Sequence, residues 1–191
     1  MLDTLTEILN ANKTYVESFG EKGKLNSPPQ KQMAILTCMD ARLDPAKFAG
    51  FSEGDVHVIR NAGGRASDDA IRSLVISHKM LGTKFWFVIQ HTKCGMQGAT
   101  NDGIAQLLEE SLETIQIDEN SALNEKRDSG SAEGYKVDWL PIDNLEESVK
   151  NDVFRIRNHP LVSDTISIYG LIYDVESGCL KQVDGAISMA K

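Results

Sequence analysis

Phe85-Trp86-Phe87-Val88-Ile89-Gln90-His91-Thr92-Lys93-Cys94-Gly95 runs from five apolar residues straight into a His-x-x-Cys pair. Phe85–Ile89 is continuous rather than alternating in polarity, as in a strand buried on both faces, and its aromatic and β-branched side chains favour the extended backbone. Upstream, Met33–Cys38 is a second short apolar run. It leads directly into Asp40 and Arg42, in Cys38-Met39-Asp40-Ala41-Arg42. A third, Val56–Ile59, lies between them. Between this run and Phe85 the spacing predicts a helix over 67–81, with Ser67 as its cap, Asp68 and Asp69 in its first turn, and Ile71, Leu74, Val75 and Leu81 as its apolar stripe. Strands alternating with helices predict an α/β domain with a mostly parallel central sheet flanked by helices.

Working outward, an amphipathic opening helix is expected over 2–19, carried by Leu2, Leu5, Leu9, Val16 and Phe19, as a helical arm within residues 1–25. It can pack on a neighbouring subunit or on its own domain. A helix is expected over about 103–115, then a polar surface loop over 118–136. Asp143-x-x-Glu146 has the form of a capping box for a helix reaching Asn158. Thr165–Asp174 and Leu180–Val183 read as an antiparallel hairpin at the sheet edge, turning at Ser177-Gly178. There are no repeats, so residues 1–191 read as one domain, long enough to bury a core without staples.

The composition excludes several classes. A formal net charge of −8 argues against a phosphate-tracking nucleic-acid binder. No apolar stretch is long enough to span a bilayer, and Met1-Leu2-Asp3-Thr4 lacks the start of a secretory signal, so a cytoplasmic protein is expected. Three cysteines suit thiols better than a disulfide framework, and Cys179, in a turn, reads as incidental.

The other two cysteines carry the chemistry. In open α/β sheets ligands collect beyond the carboxyl ends of strands, where strand order reverses. If the first strand lies beside the third, with the second outside, Cys38 and His91-x-x-Cys94 face one crevice. Two thiolates and an imidazole form a natural tetrahedral zinc set with one position open. Asp40 can fill that position or stand beside it, and Arg42 can grip Asp40 bidentately and hold it off the metal. Cys38 and Cys94 as plain core thiols is the bland alternative, disfavoured by the company of His91 and the carboxylate–guanidinium pair. His57 and His78 read as satisfied core histidines and His159 as a complement to a helix dipole. Asn61-Ala62-Gly63-Gly64 reads as a tight turn beside the site, and Arg60, Arg65 and Arg72 as paired or solvated.

Cys38-x-Asp40-x-Arg42, Val58-Ile59-Arg60-Asn61-Ala62-Gly63 and His91-x-x-Cys94-Gly95 together resemble the β-class carbonic anhydrases. Asp68-Asp69-Ala70-x-Arg72-Ser73-Leu74 and Leu81-Gly82-Thr83 fall in the expected places, and Ser167–Asp174 extends the likeness. The short length and Gly95-Met96 are closer to the smaller prokaryotic-type branch than to the plant type, where a second glycine is usual; Met96 leaves the pocket shape open.

The resemblance implies one zinc per subunit on Cys38, His91 and Cys94, with Asp40 and Arg42 as a catalytic dyad. With Arg42 holding Asp40, water or hydroxide occupies the fourth site; with Asp40 on the metal, the enzyme rests. It also implies a homodimer or homotetramer, with partner residues in the pocket, and reversible hydration of carbon dioxide to bicarbonate. Members of the same family hydrolyse carbonyl sulfide or carbon disulfide by the same addition, releasing hydrogen sulfide, so that activity is the alternative. A non-enzymatic zinc or thiol-switch module is the third reading. A purely structural site is normally closed by four protein ligands, which the Asp40–Arg42 pair argues against.

Overall fold

The computed structural model describes residues 3–117, 122–123 and 130–191. Leu2 and most of the expected 118–136 loop lie outside these residues. The first half of the chain forms α1 (Thr4–Glu17), β1 (Met33–Cys38), α2 (Pro45–Ala49), β2 (Val56–Asn61), α3 (Asp68–Lys79) and β3 (Phe85–His91). The second half forms α4 (Asn101–Glu110), β4 (Gln116–Ile117), β5 (Ala122–Leu123), α5 (Leu145–Arg157), β6 (Ser167–Tyr173) and β7 (Leu180–Ser188).

The main sheet has five strands in the order β2-β1-β3-β6-β7, parallel except for β7, which returns antiparallel along β6 at the edge. The predicted neighbours, β1 between β2 and β3, are the observed ones. Leu36 of β1, Trp86 and Val88 of β3 and Ile168 of β6 form the main core with Ile71 and Leu74 of α3 and Val149, Val153 and Ile156 of α5. Trp86 is fully buried, and its indole N–H finds the Thr83 hydroxyl at 3.0 Å, so it brings no unpaired donor inside. Among the described residues no helix is long and apolar enough to cross a membrane.

The differences from the expected boundaries have local causes. β2 extends two residues beyond Ile59, because Arg60 and Asn61 continue the ladder opposite Thr37 and Cys38. α3 starts as expected, its Ser67 hydroxyl accepting from Ala70 N–H, but stops at Lys79. α4 begins at Asn101 under a Thr100 cap and ends at Glu110, where Ser111 turns extended, short of the expected 115. For α5 the cap is Asn144, which accepts from Glu147 N–H, and not Asp143; the same acid spacing recurs one residue later. Ala122–Leu123 pair with β4, and Ala132–Lys136 form a short 3₁₀ turn against α4. β7 is longer than expected because a register shift near Gly170 carries it past an irregularity to Ser188. A Cβ on Gly170 would come within 2.5 Å of both Ala186 and Val149, so only glycine lets β7 and α5 close on β6 there.

Candidate metal centre

The parallel register brings the two motifs together. Thr37 of β1 lies opposite Ile89 of β3, and its hydroxyl donates to the Ile89 carbonyl at 2.7 Å, pinning the strands just below their tips. Cys38 ends β1, His91 ends β3, and Cys94 follows in a turn whose Lys93 has a positive φ of 53°. The turn after β2 presses on the same place. Gly64, at φ 65°, leaves no room for a Cβ, which would meet Cys38 N at 2.8 Å. This is the expected tight turn beside the site.

The Cys38 and Cys94 sulfurs and a His91 ring nitrogen lie within 4.8 Å of one another, all three residues buried. The sulfurs are 3.9 Å apart. Two sulfurs on one tetrahedral zinc, with bonds of about 2.3 Å, stand about 3.8 Å apart. His91 Nδ1 donates to the Thr92 carbonyl at 2.9 Å, since a carbonyl only accepts; this fixes the tautomer and leaves the Nε2 lone pair free. That Nε2 is buried without a hydrogen-bond partner among the described residues. A buried, unpaired acceptor beside two sulfurs is costly in an empty protein and suited to a soft divalent cation, so this donor set fits zinc.

Electrostatics separate the two thiols. Cys94 beside it draws the Cys38 thiol down to about 4, against the opposing effect of burial, while its own ionisation is pushed well above the ordinary range by its hydrogen bond to Cys38 and by burial. Asp40 stands alongside, its Oδ2 3.7 Å from His91 Nε2. Arg42 grips it from Nε at 2.9 Å and Nη2 at 2.7 Å, and the Arg42 backbone N–H adds a third contact at 2.9 Å. This guanidinium holds the Asp40 carboxyl far below the usual carboxylate range. Arg42 also donates to the Lys93 carbonyl, tying the dyad to the turn between the metal-binding candidates.

The remaining candidates fall elsewhere. His57 bonds to Ser77 Oγ and Ser27 O, and His78 donates to Thr83 O; both are half-buried and satisfied. His159 lies just past the end of α5, where its Nδ1 accepts from Leu161 N–H. Cys179 is exposed and apart from the site. Arg72 pairs with Asp69. Arg60 braces the motif after β1, donating to the carbonyls of Cys38 and Asp40. Thr92 is held by Asp174, and Ile142 packs with Cys38, Leu43 and Cys94 in a small apolar cluster. Sequence reasoning assigned no role to Thr92, Asp174 or Ile142. Asp174 and Ile142 come from distant segments, and only Gln90, a lone polar residue ending an apolar run, carried a readable signal of buried polar structure.

Comparison with known proteins gives a consistent picture. The family model described as carbonic anhydrase matches residues 33–180. The chain is 38% identical over 182 residues to beta-carbonic anhydrase 1 of Mycobacterium tuberculosis, covering 94% of this chain and 98% of that one. It is 34% identical over 165 residues to a carbon disulfide hydrolase of Acidithiobacillus thiooxidans, covering 83% and 80%. Among solved structures, the carbonic anhydrase of Streptococcus mutans superposes with a TM-score of 0.80 at 37% identity, over 96% of this chain and 99% of that one.

Proposed function

The chain belongs to the β-carbonic anhydrase family, and from that premise we propose that it catalyses the reversible hydration of carbon dioxide to bicarbonate at a zinc held by Cys38, His91 and Cys94. The observation carrying this reading is the convergence of those three donor atoms within 4.8 Å, beside a carboxylate that Arg42 holds ready. A zinc ion there would supply Lewis acidity, making water a nucleophile at accessible pH.

The chain's own residues do the rest. Asp40 already accepts three hydrogen bonds from Arg42, which fix its orientation. Its remaining acceptor capacity faces the donor cluster, where it takes the O–H hydrogen bond of the attacking water and aims the oxygen lone pair at carbon. A carboxylate so strongly acidified cannot keep the proton near neutrality. It orients, and the proton released with each bicarbonate passes to solvent base. Leu43 and Ile142 are buried against the sulfurs, keeping bulk water from the donor atoms and strengthening these interactions.

A second reading, hydrolysis of carbonyl sulfide or carbon disulfide to carbon dioxide and hydrogen sulfide, is favoured by the resemblance to carbon disulfide hydrolases and uses the same residues. We also place the enzyme in the cytoplasm, where its thiols stay reduced, as a homodimer or homotetramer. The uncovered apolar residues of α1, with Ile8 62% and Leu9 53% exposed, support association. The deciding experiment is metal analysis with stopped-flow carbon dioxide hydration, run beside hydrogen sulfide release from both sulfur substrates. We expect one zinc per chain and fast hydration. Hydrogen sulfide release without hydration would transfer the assignment to the second reading, and a metal-free, inactive protein would refute both.

A further inference from the structure

Beneath the donor cluster lies a buried ion pair. Arg65, from the turn after β2, meets Asp152 of α5 with Nε at 2.8 Å and Nη2 at 3.2 Å. Both side chains are almost wholly buried, 11% and 4% exposed. Such a pair is weak evidence for stability, because its desolvation offsets its attraction. Its connections are more telling, since each side of the pair reaches a different end of the loop that carries His91 and Cys94.

On one side Asp152 Oδ2 accepts from Gln90 Nε2 at 2.9 Å. Gln90 is fully buried and immediately precedes His91 in β3. The carboxylate only accepts, so the amide nitrogen must face it, and the amide oxygen is left buried with no hydrogen-bond partner among the described residues. An apolar residue of similar size would avoid that cost. On the other side Arg65 Nη1 donates to the carbonyls of Leu140 and Pro141, at 2.6 and 2.7 Å. Leu140 itself has a positive φ of 53°, a conformation that leucine holds only when its surroundings impose it. Ile142, two residues on, packs with Cys38 and Cys94 and donates from its backbone to Met96 O at 3.0 Å. Gln97 Oε1 in turn accepts from Cys94 N–H.

From this continuity we infer that Arg65, Asp152 and Gln90 are positioning residues that clamp the metal-binding loop at both ends. Gln90 fixes the approach to His91, and Arg65, through the 140–142 segment, fixes the exit from Cys94. The inference rests on the metal-site reading above. The unpaired Gln90 oxygen and the constrained Leu140 backbone are maintained because they hold His91 and Cys94 in register for one ion. Residues around a metal site that orient its ligands typically govern affinity as strongly as this arrangement requires.

The test uses the holoenzyme and Gln90→Met, which leaves the Arg65–Asp152 pair whole and removes the unpaired oxygen. We expect zinc to pass to a chromophoric chelator about 10-fold faster or more, and the visible spectrum of the Co²⁺-substituted protein to change, while the unfolding midpoint measured after chelation of the metal holds or rises. Arg65→Lys keeps the charge but cannot reach the carboxylate and two carbonyls together. It should loosen zinc in the same direction, and combined with Gln90→Met it should add less than the sum of the two. Wild-type chelation rate and cobalt spectrum in Gln90→Met would overturn the clamp, even if Arg65→Lys fails to fold. Absence of zinc and cobalt binding in the wild-type protein would instead overturn the metal site itself.

Discussion

At the level of single residues, Asp40 and Gly64 carry different burdens. Asp40 accepts three hydrogen bonds from Arg42 and holds Oδ2 near the donor cluster, 3.7 Å from His91 Nε2. In Asp40→Asn an amide takes the carboxylate's place and cannot offer two charged oxygens to the guanidinium. We expect zinc content to be retained and turnover to fall by about 10²-fold or more, the scale on which losing the orientation of a reacting group slows a reaction, as read by stopped-flow hydration with metal analysis. Gly64→Ala fails for a steric reason: its φ of 65° is a left-handed conformation, and the new methyl would meet Cys38 N at 2.8 Å. The cost should be about 1–3 kcal/mol of strain or more, read by urea unfolding, with loss of zinc accompanying it because the collision displaces a donor residue. The candidate site residues Cys38, His91, Cys94, Asp40 and Arg42 were all named from two short motifs, and the fold brings them together. Gly64 was legible only as a turn former; its contact with β1 required the packed structure.

At the level of elements, the central strands β1 and β3 were read most accurately, and the helix ends and the edge strand β7 least. Met33–Cys38 and Phe85–Ile89 declare themselves as short apolar runs on a parallel sheet, buried from Ala34 and, half-buried Phe87 aside, from Trp86 onward. α4 and α5 depend on caps, where neighbouring residues offer equivalent acceptors, and the choice of Asn144 over Asp143 is made by how α5 lays Val149, Val153 and Ile156 on the sheet. The cap of α3 is unambiguous, with Ser67 Oγ accepting from Ala70 N–H at 3.3 Å. Ser67→Ala should cost about 1 kcal/mol, measured as a lowered urea midpoint, and leave zinc content unchanged because α3 supplies no donor to the site.

For the whole molecule, the proposed zinc would link folding to metal binding. The sheet brings Cys38 and Cys94 close enough that one thiol ionises at low pH and the other is held protonated. Zinc takes both as thiolates and His91 as the neutral ring, so binding near neutral pH should release protons from the apoprotein, detectable in weakly buffered solution with a pH indicator. Lowering the pH supplies the competing proton, so affinity should fall as acidity rises. Because the unfolded chain has no assembled site, free zinc at 100 times its dissociation constant should add about 2.7 kcal/mol of stability, and chelation should lower the melting temperature accordingly. An unchanged melting temperature on chelation of a zinc-loaded sample would refute the linkage.

The amino-acid sequence by itself determined the donor types, the dyad and the strand–helix alternation, because each is written within a few consecutive residues whose chemistry and periodicity act locally. Tertiary structure alone decided that β1 lies against β3, that His91 presents an unpaired Nε2 to two sulfurs, and that Arg65, Asp152 and Gln90 meet beneath them. Those facts depend on which distant segments share a hydrogen-bonded ladder or a buried charge, and burial energies settle that only when the whole chain is packed.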